Sequence, residues 1–258
     1  MPELPDLQAF SHNLTNIFHG KKLDKVEVIV DRKLNVSEKE LQQTLSCLEV
    51  EQFKRAGKEL HIIFKGGHSL GLHLMLHGQL VIFKEADTPP KNQIINLLFE
   101  DGTRLALTDF QKAATPTLDP ETSSVPDALD TDTDYLSDKL SKTKTPVKTV
   151  IMDQKIIRGI GNAYADEILW NARISPFSAA NKIPKDQIKI LAKSIKKVLI
   201  NAEKQILKIK SDIISGEVRD FMEVHQHGKK QTSTGAAIHH KELSSRSTYY
   251  TDEQELFN

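Results

Sequence analysis

The hydrophobic pattern of this 258-residue chain changes from strand-like to helix-like across one acidic segment, residues 118–139. Before that segment, short apolar runs and alternating apolar residues predict β-strands. After it, apolar residues recur every three or four positions, as on one face of a helix. The segment itself has seven carboxylates, two prolines and few apolar side chains, which is typical of a solvated linker. A change of period at a polar segment predicts two domains of different class, and the chain is long enough for each to bury a core.

The first half is predicted to be mostly β-structure led by one helix. Apolar residues at spacings of three and four, from Leu4 to Ile17, predict an amphipathic helix over residues 4–18 that Gly20 ends. Strand patterns follow at five places, and Asp101-Gly102 between the last two is a hairpin signal. The predicted strands are residues 25–30, 59–65, 80–84, 94–100 and 104–110.

The second half is predicted to be mostly helical. Within residues 153–176, a Gly-Ile-Gly-Asn turn at 159–162 separates two helical stretches, and a long amphipathic helix follows over residues 184–209. Lysines lie between the apolar positions of that helix, either as a solvated face or as a border of a nucleic-acid site. Gly, Ser, Thr and β-forming residues predict a terminal hairpin around residues 237–250.

The net charge of zero hides an uneven distribution. Lysine plus arginine and aspartate plus glutamate are 35 each, and a neutral chain is at first sight a poor partner for nucleic acid. By segment, however, residues 1–140 carry −7, residues 141–258 carry +7, and residues 141–210 alone carry +10. The second half therefore has the charge that binding to a polyanion requires.

Cysteine content and hydropathy restrict the environment of the protein. Cys47 is the only cysteine, which excludes an intrachain disulfide and a multi-cysteine zinc site and fits a reducing compartment. No apolar run approaches the roughly 18 residues that span a bilayer, and residues 1–8 lack the layout of a secretory signal. We expect a soluble cytoplasmic protein with no membrane partner.

The N-terminal residues are candidates for covalent catalysis. Pro2 follows Met1, and an initiator before a small side chain is normally removed. Removal exposes a secondary amine with a pKa near the ~8 of α-amino groups, so part of it is unprotonated near neutrality and can attack an electrophilic sugar carbon. Glu3 beside it is a candidate general acid and base. The alternative is that Pro2 and Glu3 merely open a helix, where proline and acids are favoured.

Two segments of the second half are candidate phosphate-binding sites. The glycine-rich turn lets backbone N–H groups and the Asn162 side chain approach a phosphate, with Lys155 and Lys148 upstream. An αα-corner that needs glycine only for packing is the alternative. In the predicted hairpin, Arg246 is a candidate phosphate clamp, although a solvated arginine is the commoner case.

In this order and at these distances, the segments resemble the formamidopyrimidine-DNA glycosylase and endonuclease VIII family of base-excision repair enzymes. Residues 2–5 (PELP) are similar to the family's N-terminal catalytic motif, with Asp6 where glutamate is usual. Residues 153–176 are similar to its helix–two-turn–helix motif. Residues 55–58 resemble the segment of a functional lysine, and residues 72–78 the strand and turn with a phosphate-contacting histidine and a base-stack wedge.

The resemblance covers essentially the whole chain and implies an α+β fold. An N-terminal β-sandwich led by a helix precedes a helical domain with the helix–two-turn–helix motif and a terminal β-hairpin finger, and DNA lies in the cleft between the domains. The expected boundaries are 1–117 for the catalytic β-sandwich domain, 118–139 for the acidic linker, 140–222 for the helical DNA-binding domain and 223–258 for the finger.

The implied activity is that of a bifunctional DNA glycosylase and abasic-site lyase. Pro2 would attack C1′ of a flipped-out damaged nucleotide to form a Schiff base, and β- and δ-elimination would cut the strand. Glu3 would protonate the sugar ring oxygen, and Lys58 would contact the phosphate or sugar at the lesion. Glu167 would help to fix the N-terminal amine. The positions that match phosphate contacts are His73, Lys155, Asn162 and Arg246.

The resemblance also implies how the enzyme exists in the cell. The partner is damaged double-stranded DNA, no cofactor is required, and the protein is expected to be a monomer. Its location would be a bacterial-type cytoplasm, on the nucleoid when bound to DNA.

The finger departs from the family pattern. Four cysteines that usually hold zinc correspond to Gln231, Thr234, Thr251 and Gln254, none of which can replace a thiolate at a structural zinc site. The nearby histidines are too few in one place to replace them; they are His225, His227, His239 and His240. We therefore expect a zincless finger, held by strand pairing and tyrosines, that still presents Arg246 to a phosphate.

The wedge also departs from the family pattern. Where 8-oxoguanine enzymes carry Met, Arg and Phe, this chain has Leu76, Gln111 and Ala113, with Lys112 in place of a neighbouring arginine. Leu76 and Gln111 are the wedge candidates, because Ala113 is too small to act as an aromatic wedge. Residues 210–222 are also short where some relatives insert a lesion-sensing loop. These departures favour oxidised pyrimidines, ring-opened purines or abasic sites over strict specificity for 8-oxoguanine opposite cytosine.

A second hypothesis is a non-catalytic binder of damaged or branched DNA on the same scaffold, based on the altered wedge and the missing zinc ligands. Retention of Pro2 and Glu3 argues against it, because binding alone needs no free proline amine. A protein of unrelated function that contains an αα-corner is the remaining alternative.

Overall fold

The computed structural model describes all residues from Met1 to Asn258, and they divide into two compact units. Unit 1 comprises residues 1–122 and 206–217, and unit 2 comprises residues 123–205 and 218–258. None of the helices combines the length and the apolar character that crossing a membrane requires.

Unit 1 is built from a leading helix, a short second helix and eight strands. The elements are α1 (Leu4–Phe18), β1 (Leu23–Val28), α2 (Glu38–Leu45), β2 (Val50–Ala56), β3 (Glu59–Phe64), β4 (Ser69–His73), β5 (Gln79–Lys84), β6 (Gln93–Phe99), β7 (Thr103–Thr108) and β8 (Thr115–Leu118). The strands form two four-stranded antiparallel sheets, in the orders β1-β6-β7-β5 and β2-β3-β4-β8. The predicted first helix and all five predicted strands are confirmed, with ends that agree to within two residues.

Helix α1 packs its apolar face on β2. Leu7, Phe10 and Leu14 are fully buried, whereas Ile17, which the periodicity included, is exposed because Phe18 takes the inner position at the helix end. The Thr15 hydroxyl accepts a hydrogen bond from the Phe53 N–H at 2.9 Å. Nearer the N-terminus of α1, the Arg55 guanidinium donates a hydrogen bond to the Gln8 side-chain oxygen at 2.9 Å. The helix therefore directs its N-terminus toward the turn that joins β2 and β3.

Four elements of unit 1 were not predicted from local pattern. They are α2, β2, β4 and β8. The cause is visible in β2, whose residues do not alternate strictly between buried and exposed, and in β8, which contains Pro116. Proline is depleted in strands, so its presence hides an edge strand from a propensity argument.

Unit 2 is mostly helical and ends in a hairpin. Its elements are α3 (Thr133–Ser141), α4 (Val147–Met152), α5 (Asn162–Asn171), a short 3-10 helix (Ala180–Lys182), most of α6 (Lys185–Ile209), β9 (His239–Leu243) and β10 (Arg246–Tyr250). The predicted long helix and the predicted hairpin are confirmed. Together with the sheets of unit 1, they confirm the α+β fold class.

Two local predictions in unit 2 differ from the structure. Residues 118–139 are not wholly a solvated linker, because they include most of α3 and bury Ala128 and Leu136. Asp132 caps α3 by accepting the Tyr135 N–H at 2.8 Å, so an acid that suggested solvation instead begins a helix. In residues 153–176 only one helix is present, since α4 ends at Met152 and a turn at residues 154–156, a bend and a bridge residue precede the glycines.

Candidate active site and phosphate-binding residues

Pro2 lines a cavity of about 470 Å³ in unit 1. Its wall combines polar and apolar side chains. Its other lining residues are Leu76, His77, Gly78, Gln79, Lys91, Asn92, Thr108, Asp109, Phe110, Gly216 and Glu217. The Met1 amine forms an ion pair with the Glu217 carboxylate at 2.5 Å. The N-terminal segment therefore lies in a recess large enough to admit a small ligand group.

Glu3 is the N-cap residue of α1 and is buried. Its carboxylate accepts the Asp6 N–H while Asp6 accepts the Glu3 N–H at 2.9 Å, which makes a reciprocal capping box. The helix-opening interpretation of Pro2 and Glu3 is therefore correct as a structural description. It is compatible with a chemical role, because the cap holds the Glu3 carboxylate in one place beside Pro2.

Lys58 and His73 lie at one end of the β2-β3-β4-β8 sheet. Gly57 and Lys58 form the two-residue turn between β2 and β3, with Gly57 at φ +62°, a conformation that favours glycine. His73 is the last residue of β4, which pairs with β3. This is the end toward which α1 directs its N-terminus, so unit 1 brings together the candidates Pro2, Glu3, Lys58 and His73.

His73 is held in one neutral form. Its Nδ1 accepts the Met75 N–H at 3.1 Å, which leaves Nε2 as the protonated nitrogen. Burial lowers the pKa of His73, and the charges of Lys58 and Lys33 lower it further against the opposing charge of Glu59. A neutral imidazole with a fixed Nε2–H is a hydrogen-bond donor suited to a phosphate oxygen.

The wedge candidates Leu76 and Gln111 lie on two neighbouring loops, and both are exposed. The second loop is fixed by Asp109, whose carboxylate accepts the N–H groups of Gln111, Ala113 and Ala114 at 2.8–2.9 Å. Burial alone raises the pKa of Asp109, but these donors outweigh it and the net shift is downward. The residue that sequence reasoning missed on this loop is Phe110, which is exposed.

Asn162 and Arg246 are brought together in unit 2. Asn162 is the first residue of α5, and its side-chain amide donates to the Ser247 carbonyl at 2.9 Å, next to Arg246 at the start of β10. Arg246 is exposed, as is Lys155 in the turn before α5. Gly159 adopts φ +105°, so the turn before α5 requires glycine for its conformation.

Lys148 lies upstream of the glycine-rich turn and is a candidate for phosphate contact by sequence, but its side chain is too buried to contact a phosphate. Only 1% of its surface is exposed. Its ammonium forms an ion pair with Asp166 at 2.8 Å and donates to the Ser247 carbonyl and the Thr248 hydroxyl at 3.0 and 2.8 Å. Asp166 in turn accepts the Tyr249 N–H. This buried pair ties α4 and α5 to β10.

Glu167 is buried and accepts hydrogen bonds from the backbone of its own unit. Its two carboxylate oxygens accept three backbone N–H groups of residues 223–225 at 2.8–2.9 Å. Burial raises the pKa of Glu167 although these donors oppose the shift. Glu167 thus orders residues 223–225 of its own unit, and a contribution of Glu167 to fixing the N-terminal amine stays a prediction.

The four positions that correspond to zinc ligands do not fit a metal. Gln254 accepts the Thr251 N–H and donates to the Ile174 carbonyl, both at 2.8 Å, and Thr234 donates to Glu253 at 3.1 Å. Gln231 forms an isolated β-bridge with Ala237. No group of three or more His, Cys, Asp or Glu side chains is arranged to hold a metal ion. The polar replacements therefore hydrogen-bond to the protein and supply no thiolate.

Two family models match the chain. The formamidopyrimidine-DNA glycosylase N-terminal domain matches residues 1–115, and the formamidopyrimidine-DNA glycosylase H2TH domain matches residues 123–211. These ranges contain all candidate residues except Arg246.

Similar proteins extend the match to the whole chain. The formamidopyrimidine-DNA glycosylase of Carboxydothermus hydrogenoformans is 34% identical over 202 residues, which cover 77% of this chain and 76% of that protein. The enzyme of the same name from Lactobacillus gasseri is 27% identical over 97% of both chains. The structure of the Lactococcus lactis Fpg with DNA containing an abasic site has a TM-score of 0.87 at 23% identity, covering 98% of this chain and 100% of that one. The same protein with DNA containing an oxidised pyrimidine also has a TM-score of 0.87, at 24% identity and the same coverage.

Proposed function

The chain belongs to the formamidopyrimidine-DNA glycosylase family, and from that membership we propose that it is a DNA glycosylase of base excision repair that also cleaves abasic sites. Its substrate is damaged double-stranded DNA. The domain of residues 1–117 carries out the chemistry, and residues 140–222 with the finger of residues 223–258 hold the DNA backbone.

The observation that carries the proposal is the position of Pro2 in the wall of the 470 Å³ cavity, with Glu3 fixed beside it by the capping box. Removal of Met1 would convert the Pro2 nitrogen from an amide into a secondary amine. A damaged nucleotide flipped out of the duplex presents its C1′ to that amine.

The chemistry follows from these groups. The Pro2 lone pair forms a bond to C1′ as the glycosidic bond breaks and the damaged base leaves with a proton. Opening of the sugar ring breaks the bond between C1′ and O4′; Glu3 supplies the proton that O4′ takes, and the product is an iminium ion. Loss of a C2′ proton then expels the 3′ phosphate by β-elimination, and a second elimination expels the 5′ phosphate.

The remaining candidates bind the phosphates that flank the lesion. In unit 1, Lys58 supplies a cation and His73 a neutral Nε2–H donor at the same end of the sheet. In unit 2, Asn162 and Arg246 are adjacent through the Ser247 carbonyl, and Lys155 lies in the turn before them. These contacts are made to phosphates and not to base edges. They therefore position the DNA strand without selecting the damaged base.

Borohydride trapping on duplex DNA that carries one abasic site tests the proposal. The iminium ion is reduced to a stable covalent adduct, so wild-type protein is expected to shift the labelled strand on a denaturing gel. Pro2→Gly is expected to lose most of the adduct, and mass spectrometry of the adduct should place the DNA on residue 2 with Met1 absent.

Glu3→Gln separates catalysis from folding. Glutamine retains an oxygen that can cap α1, so the variant is expected to fold, whereas it has no proton to give to O4′. We expect loss of base release and adduct formation with unchanged binding to an uncleavable abasic analogue. Absence of any adduct with wild-type protein, together with tight binding, would instead indicate a non-catalytic binder of damaged DNA.

A further inference from the structure

The carboxylate of Glu217 lies at the N-terminus of the chain. Its Oε1 accepts a hydrogen bond from the Met1 amine at 2.5 Å, and Glu217 lines the cavity that also contains Pro2. The two side chains of this ion pair are 33% and 35% exposed. An ion pair with such access to water contributes little to stability, so folding alone gives a weak reason for a carboxylate here. Its place in the wall of the Pro2 cavity calls for a chemical explanation.

The segment that precedes Glu217 is attached to two elements of unit 1. From α1, the Asn13 side-chain amide donates to the Ile213 carbonyl at 2.8 Å, and this hydrogen bond is buried. From β5, the Leu80 N–H donates to the Ser215 hydroxyl at 3.1 Å. These two bonds fix the chain immediately before Glu217, so the backbone that carries its carboxylate is held beside the cavity.

The other carboxylates near Pro2 are engaged by backbone donors. Asp109, which also lines the cavity, accepts three N–H groups of its own loop at 2.8–2.9 Å. Glu3 accepts a backbone N–H in the capping box of α1. Of the two carboxylates in the cavity lining, Glu217 is therefore the one that contacts the N-terminal amine.

Formation of the iminium ion releases a proton from the Pro2 nitrogen. A neutral secondary amine has one N–H, and the nitrogen keeps that proton when its lone pair forms the bond to C1′. The double bond between carbon and nitrogen needs a lone pair again, so the proton must leave before the bond between C1′ and O4′ breaks. Glu3 gives a proton to O4′ in this step and is the acid. A separate base is therefore needed at the nitrogen.

We propose that Glu217 is this base and takes the proton from the Pro2 nitrogen as the iminium ion forms. The inference rests on the proposed function, in which Pro2 is the nucleophile. Removal of Met1 transfers the chain's amine to Pro2, the next residue, which lines the same cavity as Glu217. The flexible glutamate side chain allows its carboxylate to follow the amine. Glu217 then passes the proton to water and is a carboxylate again before the next turnover.

Single-turnover borohydride trapping on a duplex with one abasic site measures this step. The nitrogen must lose the same proton on this substrate, because an abasic sugar differs only in the group that leaves C1′. Glu217→Gln keeps the size of the side chain but has no basic oxygen, so adduct formation is expected to slow about a hundredfold. Binding to an uncleavable tetrahydrofuran analogue should not weaken, and mass spectrometry should show Met1 removed from the variant as from wild type.

Chemical rescue distinguishes proton transfer from a structural role. Glu217→Ala leaves space for a small carboxylate, so added formate is expected to raise its rate severalfold, whereas chloride at the same ionic strength should not. Glu217→Asp keeps a carboxylate and should retain more activity than either variant. Glu27→Gln is the matched control, because Glu27 forms an ion pair with Lys25 in unit 1 and its side chain is also 35% exposed. It should keep the wild-type rate with and without formate.

The outcomes separate this inference from the proposed function. A wild-type rate for Glu217→Gln, or a slow Glu217→Ala that formate does not accelerate, would overturn the assignment of Glu217 and leave Pro2 as the nucleophile. Weaker binding of Glu217→Gln to the analogue, in proportion to its slower rate, would overturn it as well, because the carboxylate would then act on binding. If wild-type protein forms no adduct, the proposed function fails, and the role of Glu217 fails with it.

Discussion

At the scale of single residues, hydrogen-bond partners decide what a candidate side chain can do. His73 and Lys148 were both considered for phosphate contact. The structure fixes His73 as a neutral ring with Nε2–H as its donor, whereas it buries Lys148 against Asp166. Glu167 is likewise committed to three backbone N–H groups. The same residue types therefore have different chemistry because their neighbours differ.

The lowered pKa of His73 predicts a contribution to acid sensitivity. The unfolded state takes up a proton near pH 6.5 while the folded state resists it, so the unfolded state binds more protons below that pH. The contribution of His73 to stability is thus present above about pH 6.5 and is lost as pH falls from there toward the lower folded pKa. Urea unfolding at pH 7.5 and 5.5 should show a smaller loss of stability for His73→Gln than for wild type. An equal loss in both proteins would contradict the assignment.

At the scale of elements, buried side chains of α4 and α5 attach the terminal hairpin, a role that zinc usually has in the family. Lys148 from α4 and Asp166 from α5 contact consecutive residues of β10. The turn between β9 and β10 places Ser244 and Ser245 at φ 51° and 58°, as a type I′ turn requires. Attachment through β10 fixes Arg246, its first residue, without a thiolate.

Loss of Lys148 should release the hairpin. Lys148→Met leaves Asp166 as a buried carboxylate without its cation, which costs about 3 kcal/mol in the free energy of unfolding. Urea denaturation measures the loss, and faster amide exchange at Tyr249 locates it. Lys155→Met, an exposed lysine of the same unit, should change stability by less than about 0.5 kcal/mol. A fall in stability on adding a chelator to wild-type protein would show that a metal, and not this pair, holds the hairpin.

At the scale of the whole molecule, charge is divided between the two halves of the chain. Residues 1–140 carry −7 and residues 141–258 carry +7. The basic half contains Lys155, Asn162 and Arg246, and the acidic half contains Pro2 and Glu3. Under the proposed function, one half supplies the chemistry and the other neutralises the DNA backbone, and the acid elsewhere keeps non-specific affinity modest.

Binding to undamaged duplex should therefore weaken steeply with salt. A plot of the logarithm of the association constant against the logarithm of the salt concentration has a negative slope. Each phosphate contact that is lost makes this slope shallower by about 1. Arg246→Ala is expected to reduce the slope by about that amount and to leave the fold intact, since its side chain is exposed. Lys84→Ala removes an exposed cation of unit 1 and should leave the slope unchanged. An unchanged slope for Arg246→Ala would remove Arg246 from the phosphate contacts.

Interactions between residues that are close in sequence explain how much of the secondary structure could be predicted without coordinates. The first helix, five strands, the long helix and the terminal hairpin follow from periodicity and turn residues, which act over a few positions of chain. The motifs and their spacing were sufficient to predict the family, and the family models and similar proteins confirm that prediction. The strands that local pattern missed, β2, β4 and β8, are stabilised by pairing and not by propensity.

The fold class, the family and the candidate residues could be predicted without coordinates, because each depends on residue type and spacing. Which of the candidates are accessible depends on how distant segments pack together in the folded chain. Lys148 is buried by residues 99 and 100 positions away, Glu167 is occupied by residues 56 to 58 positions away, and Phe110 stays exposed at the rim of the Pro2 cavity. Burial and hydrogen bonding between distant segments exist only once the chain is folded, so no local pattern encodes them.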